Sequence, residues 1–194
     1  RAAALSAGDG GGAHWMGASV DPETSIAYVS SKAYSIVLGL AKPDGRFESD
    51  MDYVLRMGRA SGPGGLPLFK PPYGRITAID MNTGEHLWWI PNGDTPERIT
   101  NHPALQEVQL PNTGVTSHPV TMVTASLLIH AEGTAGQPLL RAINKSTGVR
   151  VGAVELPAPG QYGMMTYMHN ERQHVVVQIA GRNQPGSLVA LRLP

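Results

Sequence analysis

The sequence predicts an all-β protein, and three observations carry this prediction. Glycine (23) and proline (16) together make up about a fifth of the 194 residues, against a usual share of about 12%. Both residues are costly inside helices, so this composition argues against a helical bundle or a coiled coil. Apolar residues recur in short runs separated by Gly-bearing turns, and one strand–turn–strand pattern occurs twice.

Ten segments have the length and residue pattern of strands, the first of them after the turn at residues 21–24. They are residues 25–30, 36–40, 75–80, 85–90, the apolar run 121–130, and residues 139–144, 150–156, 164–168, 174–180 and 187–193.

Two long stretches, residues 41–73 and 93–119, interrupt this rhythm with many prolines and glycines. Loops of this length in a compact domain are commonly functional, so we expect them to cover a pocket. In the second stretch, residues 94–97 and 101–103 each have the pattern of a capping residue followed by proline, which predicts short helical turns.

The charge and cysteine content exclude several classes of function. Lys plus Arg (15) equals Asp plus Glu (15), so there is no net charge to attract a nucleic acid or an anionic membrane. No apolar run approaches the roughly 18 residues that a membrane helix needs. The absence of cysteine excludes disulfides, zinc–thiolate sites, iron–sulfur clusters and thiol nucleophiles. The seven histidines show no metal-ligand spacing, so we interpret them as scattered surface and loop residues.

The internal repeat pairs residues 76–88 with residues 140–152, and residues 188–194 resemble a truncated third copy. Both full copies read Ala-x-(Asp/Asn)-x-x-Thr-Gly-x-x-x-(Trp/Gly). The Asp or Asn is expected to cap a turn by accepting from the backbone two residues on, and the Gly to adopt positive φ. Trp88 offers a large apolar surface that can dock between units. Since one hairpin cannot bury both faces, the repeat predicts stacked units, as in a β-propeller with four strands per blade.

These motifs resemble those of the PQQ-dependent quinoprotein dehydrogenases. The repeat is similar to the tryptophan-docking motif of that family. Residues 11–24 (Gly-Gly-Ala-His-Trp-Met-Gly, then Asp-Pro-Glu-Thr) resemble its segment Gly-Gly-x-Asn-Trp-x-Gly, then Asp-Pro-x-Thr-Gly. Further segments resemble the membrane-bound glucose dehydrogenase branch, and the resemblance covers nearly the whole chain. These segments are residues 72–80, 93–96, 102–105, 156–159, 165–167 and 188–194.

The resemblance implies an eight-bladed propeller in which residues 1–194 form the C-terminal portion of a single domain. About three blades plus the closing strand would lie in this chain, because about ten strands cannot make eight four-stranded blades. An arc of blades exposes unpaired edges, so we expect the remaining blades from an N-terminal segment, another chain or a symmetry mate. A self-closed four-bladed ring is the less favoured alternative.

The resemblance also implies an enzyme that oxidises a sugar or alcohol hydroxyl to a carbonyl. PQQ and Ca²⁺ would be its cofactors, a quinone or cytochrome its electron acceptor, and the periplasm its location. In the family, the Asp base, the cation ligands and the main ring-stacking Trp belong to earlier blades. We therefore assign no catalytic and no metal-binding residue here, and expect no nucleic-acid partner.

Four residues are candidates for contact with PQQ by this resemblance. His14 stands where the family has an Asn that contacts the quinone, and Trp15 follows it. Arg182 and Asn183 stand in place of a Gly-Gly-His segment, and Arg182 could pair with a carboxylate of PQQ, which is an anionic tricarboxylate. The alternatives are a satisfied polar residue at the inner end of a blade for His14, packing for Trp15, and a solvated loop charge for Arg182.

Departures from the family pattern keep other functions open. The glucose dehydrogenases have a pocket-facing Asp near residues 133–137, but the candidates here, Gly136 and Gln137, are not acidic. A non-catalytic propeller scaffold that binds proteins, as in outer-membrane assembly lipoproteins, and an inactive quinoprotein relative are the rival hypotheses. The two long loops favour the dehydrogenase, whereas the substituted pocket positions favour the rivals.

Overall fold

In the computed structural model, which describes residues 2–8, 10–46 and 48–192, the chain is almost entirely antiparallel β-structure. The strands of the described residues are β1 (Ala2–Ser6), β2 (Ala13–Asp21), β3 (Ile26–Lys32), β4 (Ser35–Ala41), β5 (Val54–Arg59), β6 (Gly74–Asp80), β7 (His86–Pro91), β8 (Val120–Val123), β9 (Leu127–Ala131), β10 (Leu139–Asn144), β11 (Arg150–Glu155), β12 (Gly160–His169), β13 (Arg172–Gly181) and β14 (Gln184–Arg192). Helical structure is limited to α1 (Glu97–Thr100) and 3₁₀ turns at Pro63–Gly65 and Pro103–Leu105. The all-β prediction is confirmed.

The strands form three radial sheets, which we call blades. Blade 1 has the order β2-β3-β6-β7, blade 2 the order β8-β9-β10-β11, and blade 3 the order β12-β13-β14. Strand β8 packs against both β2 and β12, and the hydroxyl oxygens of Ser19 and Thr121 lie 2.8 Å apart where β2 meets β8. The first strands of the three blades are therefore neighbours, which is the geometry of consecutive propeller blades around an axis and confirms the predicted count of about three.

Two apolar cores join the blades. The core between blades 1 and 2 is formed by the buried side chains of Tyr28, Ile76, Ala78, Leu128 and Ile143. The core between blades 2 and 3 is formed by the buried side chains of Ala131, Leu140, Leu156, Ala158, Val177 and Ile179. Full burial of a large apolar side chain contributes about 1.5–3 kcal/mol, so these contacts supply the main attraction between blades.

The repeat folds as its spacing predicts. The side-chain oxygens of Asp80 and Asn144 each accept a hydrogen bond from the backbone N–H two residues on, at 2.7 and 3.0 Å. Gly84 and Gly148 close these turns with φ of 77° and 74°. The truncated third copy falls in β14, which holds the same third position in blade 3 that the repeat strands β6 and β10 hold in blades 1 and 2. Residues 193 and 194 lie outside the described residues.

The outward faces of blades 1 and 3 expose large apolar side chains. On blade 1 these include Val20 and Trp89, and on blade 3 Met165 and Leu188, which is 74% exposed. Each follows or precedes a residue directed towards blade 2, so strand alternation places it on the opposite face. Apolar patches of this kind mark surfaces that pack against further protein.

The stretch 41–73, predicted as a loop, contains β5 and a 3₁₀ turn. Strand β5 pairs with β4, and β4 pairs with β1, so these three strands form a small fourth sheet. The side chains of β5 are largely exposed, which explains why no apolar pattern predicted it. The apolar run 121–130 divides into β8 and β9, because Thr124 closes a turn by accepting a hydrogen bond from the N–H of Leu127 at 3.1 Å.

The stretch 93–119 contains short helical turns, as predicted, but their caps differ from the expected ones. Helix α1 begins after Pro96 without a side-chain cap, because Asp94 binds arginines instead. His102 rather than Asn101 caps the following 3₁₀ turn by accepting from the N–H of Ala104 at 3.2 Å. Within the described ranges, no helix has the length and apolar character needed to cross a membrane.

Candidate functional site

Most of the polar residues considered for function lie at one end of the blades, which we call the upper end. It is the end where β2, β8 and β12 begin and where β3, β9 and β13 finish. His14 lies near the start of β2, Lys32 at the end of β3, and the pair Arg182 and Asn183 in the turn after β13. The antiparallel order therefore brings segments that are distant in sequence to one surface.

A cavity of about 550 Å³ opens at the upper end, and we call it the upper cavity. Residues 32–36, 59–61 and 65–69 line it, together with Pro96, Arg98, Val115, Thr116 and Ala135. Both long stretches, 41–73 and 93–119, contribute to the lining. The volume lies within the range of small-molecule sites, about 300–1,000 Å³.

The charged residues that line the upper cavity are all cations. They are Lys32, Arg59 and Arg98, and no Asp or Glu stands among the described lining residues. The Nζ of Lys32 lies 4.2 Å from the centroid of the Tyr34 ring, which is a cation–π contact at the wall of the cavity. Arg59 and Arg98, which form no ion pair within the described residues, give this lining a positive charge that favours anionic ligands.

Beside the cavity, His14 and His118 form a pair of imidazoles. Their ring centroids are 4.8 Å apart, and His14 Nδ1 accepts a hydrogen bond from the Met16 N–H at 3.5 Å. Burial lowers the pKa of His118, and the positive charge of Lys32 and the neighbouring His14 lower it further. His118 therefore stays neutral at physiological pH, with one ring nitrogen able to donate and the other to accept.

His118 was not predicted as a functional residue, because the histidines were interpreted as scattered surface and loop residues. Its position directly before Pro119 and β8 was the available signal, since that places it at the upper end of an inner strand. Gly17 leaves room for the approach: a Cβ there would collide with Ser30 Oγ in β3 and lie 2.9 Å from the carbonyl oxygen of Pro119. The absence of a side chain at residue 17 therefore lets β2 pack closely against both neighbours.

The other predicted contact residues are less closely grouped. Trp15 belongs to β2, but its side chain lies outside what the structure describes. Arg182 and Asn183 form the exposed two-residue turn between β13 and β14 and do not line the upper cavity. They share the upper end with His14, and their contact with a cofactor stays a prediction.

The glucose dehydrogenases have a pocket-facing Asp near residues 133–137. In this chain the buried acid Glu132 directly precedes that segment. The Nε of Arg141 donates to Glu132 Oε1 at 2.6 Å, and the Gln137 N–H donates to Oε2 at 2.9 Å. Both carboxylate oxygens are therefore engaged, which makes Glu132 a structural anion rather than a base.

The same arginine links Glu132 to blade 1. Arg141 Nη2 lies 2.8 Å from Asp94 Oδ2, and Arg150 Nη1 lies 2.6 Å from Asp94 Oδ1. Burial raises the pKa of Asp94, but the two guanidinium groups outweigh this effect and lower its pKa overall. Asp94 stays ionised and fixes the start of the 93–119 stretch above blade 2.

The described residues suit PQQ in part and offer no site for Ca²⁺. His14 and His118, with Lys32 beside them, provide ring nitrogens and a cation that suit the quinone oxygens and a carboxylate of PQQ. No group of three or more His, Asp or Glu side chains that could hold a metal ion occurs in the described part of the chain.

The family model and the known relatives that match this sequence agree on one family. The model of the family described as PQQ glucose/ethanol/alcohol dehydrogenase, β-propeller domain, matches residues 1–175. The chain is 30% identical over 204 residues to a quinoprotein glucose dehydrogenase of Escherichia coli (strain K12), covering 93% of this chain and 25% of that protein. It is 36% identical over 121 residues to a glycerol dehydrogenase large subunit of Gluconobacter thailandicus, covering 61% of this chain and 16% of that subunit.

A solved structure supports the fold. The quinohemoprotein alcohol dehydrogenase of Comamonas testosteroni superposes with a TM-score of 0.59 at 19% identity, covering 94% of this chain and 26% of that one. At this identity the likeness concerns the fold alone. The chain spans 25% or less of the length of the two curated relatives described above.

Proposed function

The chain belongs to the PQQ glucose/ethanol/alcohol dehydrogenase β-propeller family, and on that premise we propose that it forms part of a PQQ-dependent dehydrogenase. The reaction is the oxidation of a sugar or alcohol hydroxyl to a carbonyl, with the electrons passed to a quinone or cytochrome. The observation that carries the proposal is the upper cavity, whose described charged lining residues are all cations, beside the His14–His118 pair. These residues suit an anionic quinone cofactor and a small substrate.

In this proposal the described residues orient the cofactor and limit the access of water. When bound, PQQ would supply the oxidant, taking up the two electrons and one proton that leave the hydroxyl-bearing carbon, while the hydroxyl proton goes to a base. His14 and His118 orient it by donating hydrogen bonds, and Lys32 pairs with one of its carboxylates. The segments 59–61 and 65–69 limit access of water. The base that takes the hydroxyl proton comes from outside this chain.

The proposal includes partners that the described residues do not contain. Further blades cover the exposed faces around Trp89 and Leu188, supply the Asp base and hold Ca²⁺ against PQQ. The enzyme works in the periplasm, as the family resemblance suggests. Arg182 and Asn183 approach the cofactor from blade 3 at the upper end.

The upper cavity favours a dehydrogenase over a protein-binding scaffold. A scaffold binds through surface faces and needs no concave site lined by three cations. The departures at Gly136 and Gln137 remove an acid found in the glucose branch, so they bear on the choice of substrate rather than on the presence of a pocket.

Reconstitution tests this proposal. The full-length protein is incubated with PQQ and Ca²⁺ and assayed with an artificial electron acceptor against a panel of sugars and alcohols. We expect acceptor reduction that requires PQQ and at least one of these substrates. No PQQ-dependent reduction, together with no absorbance change and no thermal shift on adding PQQ and Ca²⁺, would contradict it.

A further inference from the structure

We infer that the upper cavity contains a carboxylate-binding subsite formed by Arg59 and Arg98, and that the substrates it favours are hydroxy acids. This inference rests on the proposed function, and it adds the substrate class. The subsite holds the substrate by its carboxylate while a hydroxyl elsewhere on the same molecule is presented for oxidation.

Arg59 and Arg98 differ from the neighbouring Arg56 in having no carboxylate partner within the part of the chain that the structure describes. Arg56, on the same strand as Arg59, forms an ion pair with Asp44 at 2.6 Å. Neither Arg59 nor Arg98 has a carboxylate partner among the described residues, although both line the cavity. Both arginines are exposed to solvent, so they are open to an incoming anion, and a carboxylate can accept two parallel hydrogen bonds from one guanidinium.

The two arginines lie away from the inner strands of the blades. Arg59 ends β5 in the small fourth sheet, and Arg98 lies in α1, so neither belongs to an inner strand. No residue of β2, β8 or β12 lines the cavity. His14, by contrast, lies on inner strand β2. The cavity is therefore displaced outward from the histidine pair, as expected for a group on the substrate rather than for a cofactor held at the inner strands.

The rest of the cavity lining combines apolar side chains with hydroxyl groups. Leu66, Leu68 and Phe69 supply apolar walls, and Ser61 and Thr116 supply hydroxyl groups. A carbon skeleton that carries both a carboxylate and hydroxyl groups matches all three kinds of lining. A carboxylate accepts charge-assisted hydrogen bonds from a guanidinium, which are stronger than those that a neutral sugar hydroxyl accepts, so the acid is favoured over the neutral sugar.

Two matched substrate pairs test this inference in the reconstituted full-length protein. Glucuronate is compared with glucose, and glycerate with glycerol, so that each pair differs mainly in the carboxylate. We expect the acid to have the higher kcat/KM in at least one pair. We expect Arg59→Gln and Arg98→Gln each to lower the ratio of acid to neutral kcat/KM about 10-fold or more, as for loss of a charged hydrogen bond. Arg172→Gln, which removes an equal charge at the start of β13, at the opposite end of blade 3, leaves that ratio unchanged.

Two further measurements separate the possible outcomes. If the arginines held the cofactor, both variants would weaken PQQ binding in a titration and lower both substrates equally, and this result would overturn the inference. Neutral substrates oxidised as well as the acids, with ratios insensitive to both variants, would also overturn it. If no substrate is oxidised, the proposed function fails, and calorimetric titration with glucuronate decides the subsite separately: saturable binding lost in both variants supports it, and no binding refutes it.

Discussion

Trp88 of blade 1 docks on the turn that contains Gly148 in blade 2. The indole Nε1 donates a hydrogen bond to the backbone oxygen of Lys145 at 3.1 Å. A Cβ placed on Gly148 would lie 2.9 Å from Cε3 of the same ring. The contact joins the last strand of one repeat to the glycine turn of the next, so the Trp of the first copy and the Gly of the second copy serve a single interface between blades.

Replacing Trp88 with Ala is expected to destabilise the protein by about 3 kcal/mol, because it removes an interblade aromatic side chain and its hydrogen bond. Trp88→Phe is the matched control, since it keeps an aromatic ring and removes only the Nε1 donor. Its expected cost is about 1 kcal/mol. Chemical denaturation of the full-length protein measures both variants, and a cost of Trp88→Ala no larger than that of Trp88→Phe would contradict the docking of the ring.

The glycine side of the contact gives a second prediction. Gly84 and Gly148 occupy the same repeat position and both have positive φ, but no heavy atom lies within 4 Å of a Cβ built on Gly84. Gly84→Ala is therefore expected to cost about 1 kcal/mol from backbone strain alone. Gly148→Ala adds a collision with Trp88 and is expected to cost clearly more. Melting temperatures of the two variants check this, and a smaller effect at Gly148 than at Gly84 would contradict the docking geometry.

An ion pair between Asp21 and Lys145, with Nζ and Oδ2 2.6 Å apart, predicts acid sensitivity. The hydrogen bond from Lys145, followed by that from Thr24, lowers the pKa of Asp21 from 3.8 to about 2. Because the pKa is lower in the folded protein, the stabilisation is complete above 3.8 and is lost as the pH falls towards about 2.

Lys145→Gln should raise the pKa of Asp21 towards its ordinary value and reduce this loss of stability in acid. Melting temperatures between pH about 6 and about 2, compared with those of the exposed-site control Lys70→Gln, measure the difference. Identical pH profiles for Lys145→Gln and the wild type would show that the pair does not contribute.

We expect His130 to cause a second pH dependence of stability, at higher pH. The side chain is fully buried, and its Nε2 lies 2.8 Å from Asn92 Oδ1. Burial first, then the charges of Arg150 and Arg141, lower its pKa from 6.5 to about 3. The unfolded chain therefore binds a proton more readily than the folded one between these values, so stability falls as the pH decreases from 6.5 towards 3.

His130→Gln retains a polar group that can reach Asn92 and removes the titrating imidazole. We expect a flatter dependence of melting temperature on pH in this interval than in the wild type. His86→Gln, at an exposed position on β7, is the control. A steeper or unchanged profile in His130→Gln would contradict a neutral, buried His130.

The sequence predicted the parts of the fold that depend on local spacing. The Asp80 and Asn144 turns, the positive φ of Gly148 and the docking of Trp88 all follow from the order of residues within one repeat. Strands β1, β2 and β5 were not predicted. The pairing of β2 shifts register between Ala13 and Ala18, and the side chains of β5 are largely exposed, so neither strand has a regular apolar alternation. Strand β1 is held by backbone pairing with β4.

The candidate site was predicted less completely. His14 was identified from its motif, but His118 was not, because the two rings meet only when strands β2 and β8 become neighbours. Lys32, Arg59 and Arg98 come from three separate segments, so no local pattern could show that they line one cavity. The roles of Arg182 and Asn183 in cofactor binding, and the assignment of residues 1–194 to one domain, stay predictions.

The most direct test of the account is the amount of PQQ held by the full-length protein. The protein is assembled with PQQ and Ca²⁺, freed of unbound cofactor by gel filtration and denatured, and the released PQQ is measured by absorbance and mass spectrometry. The account predicts an equimolar amount of PQQ and protein. A folded, assembled protein that releases none would contradict it.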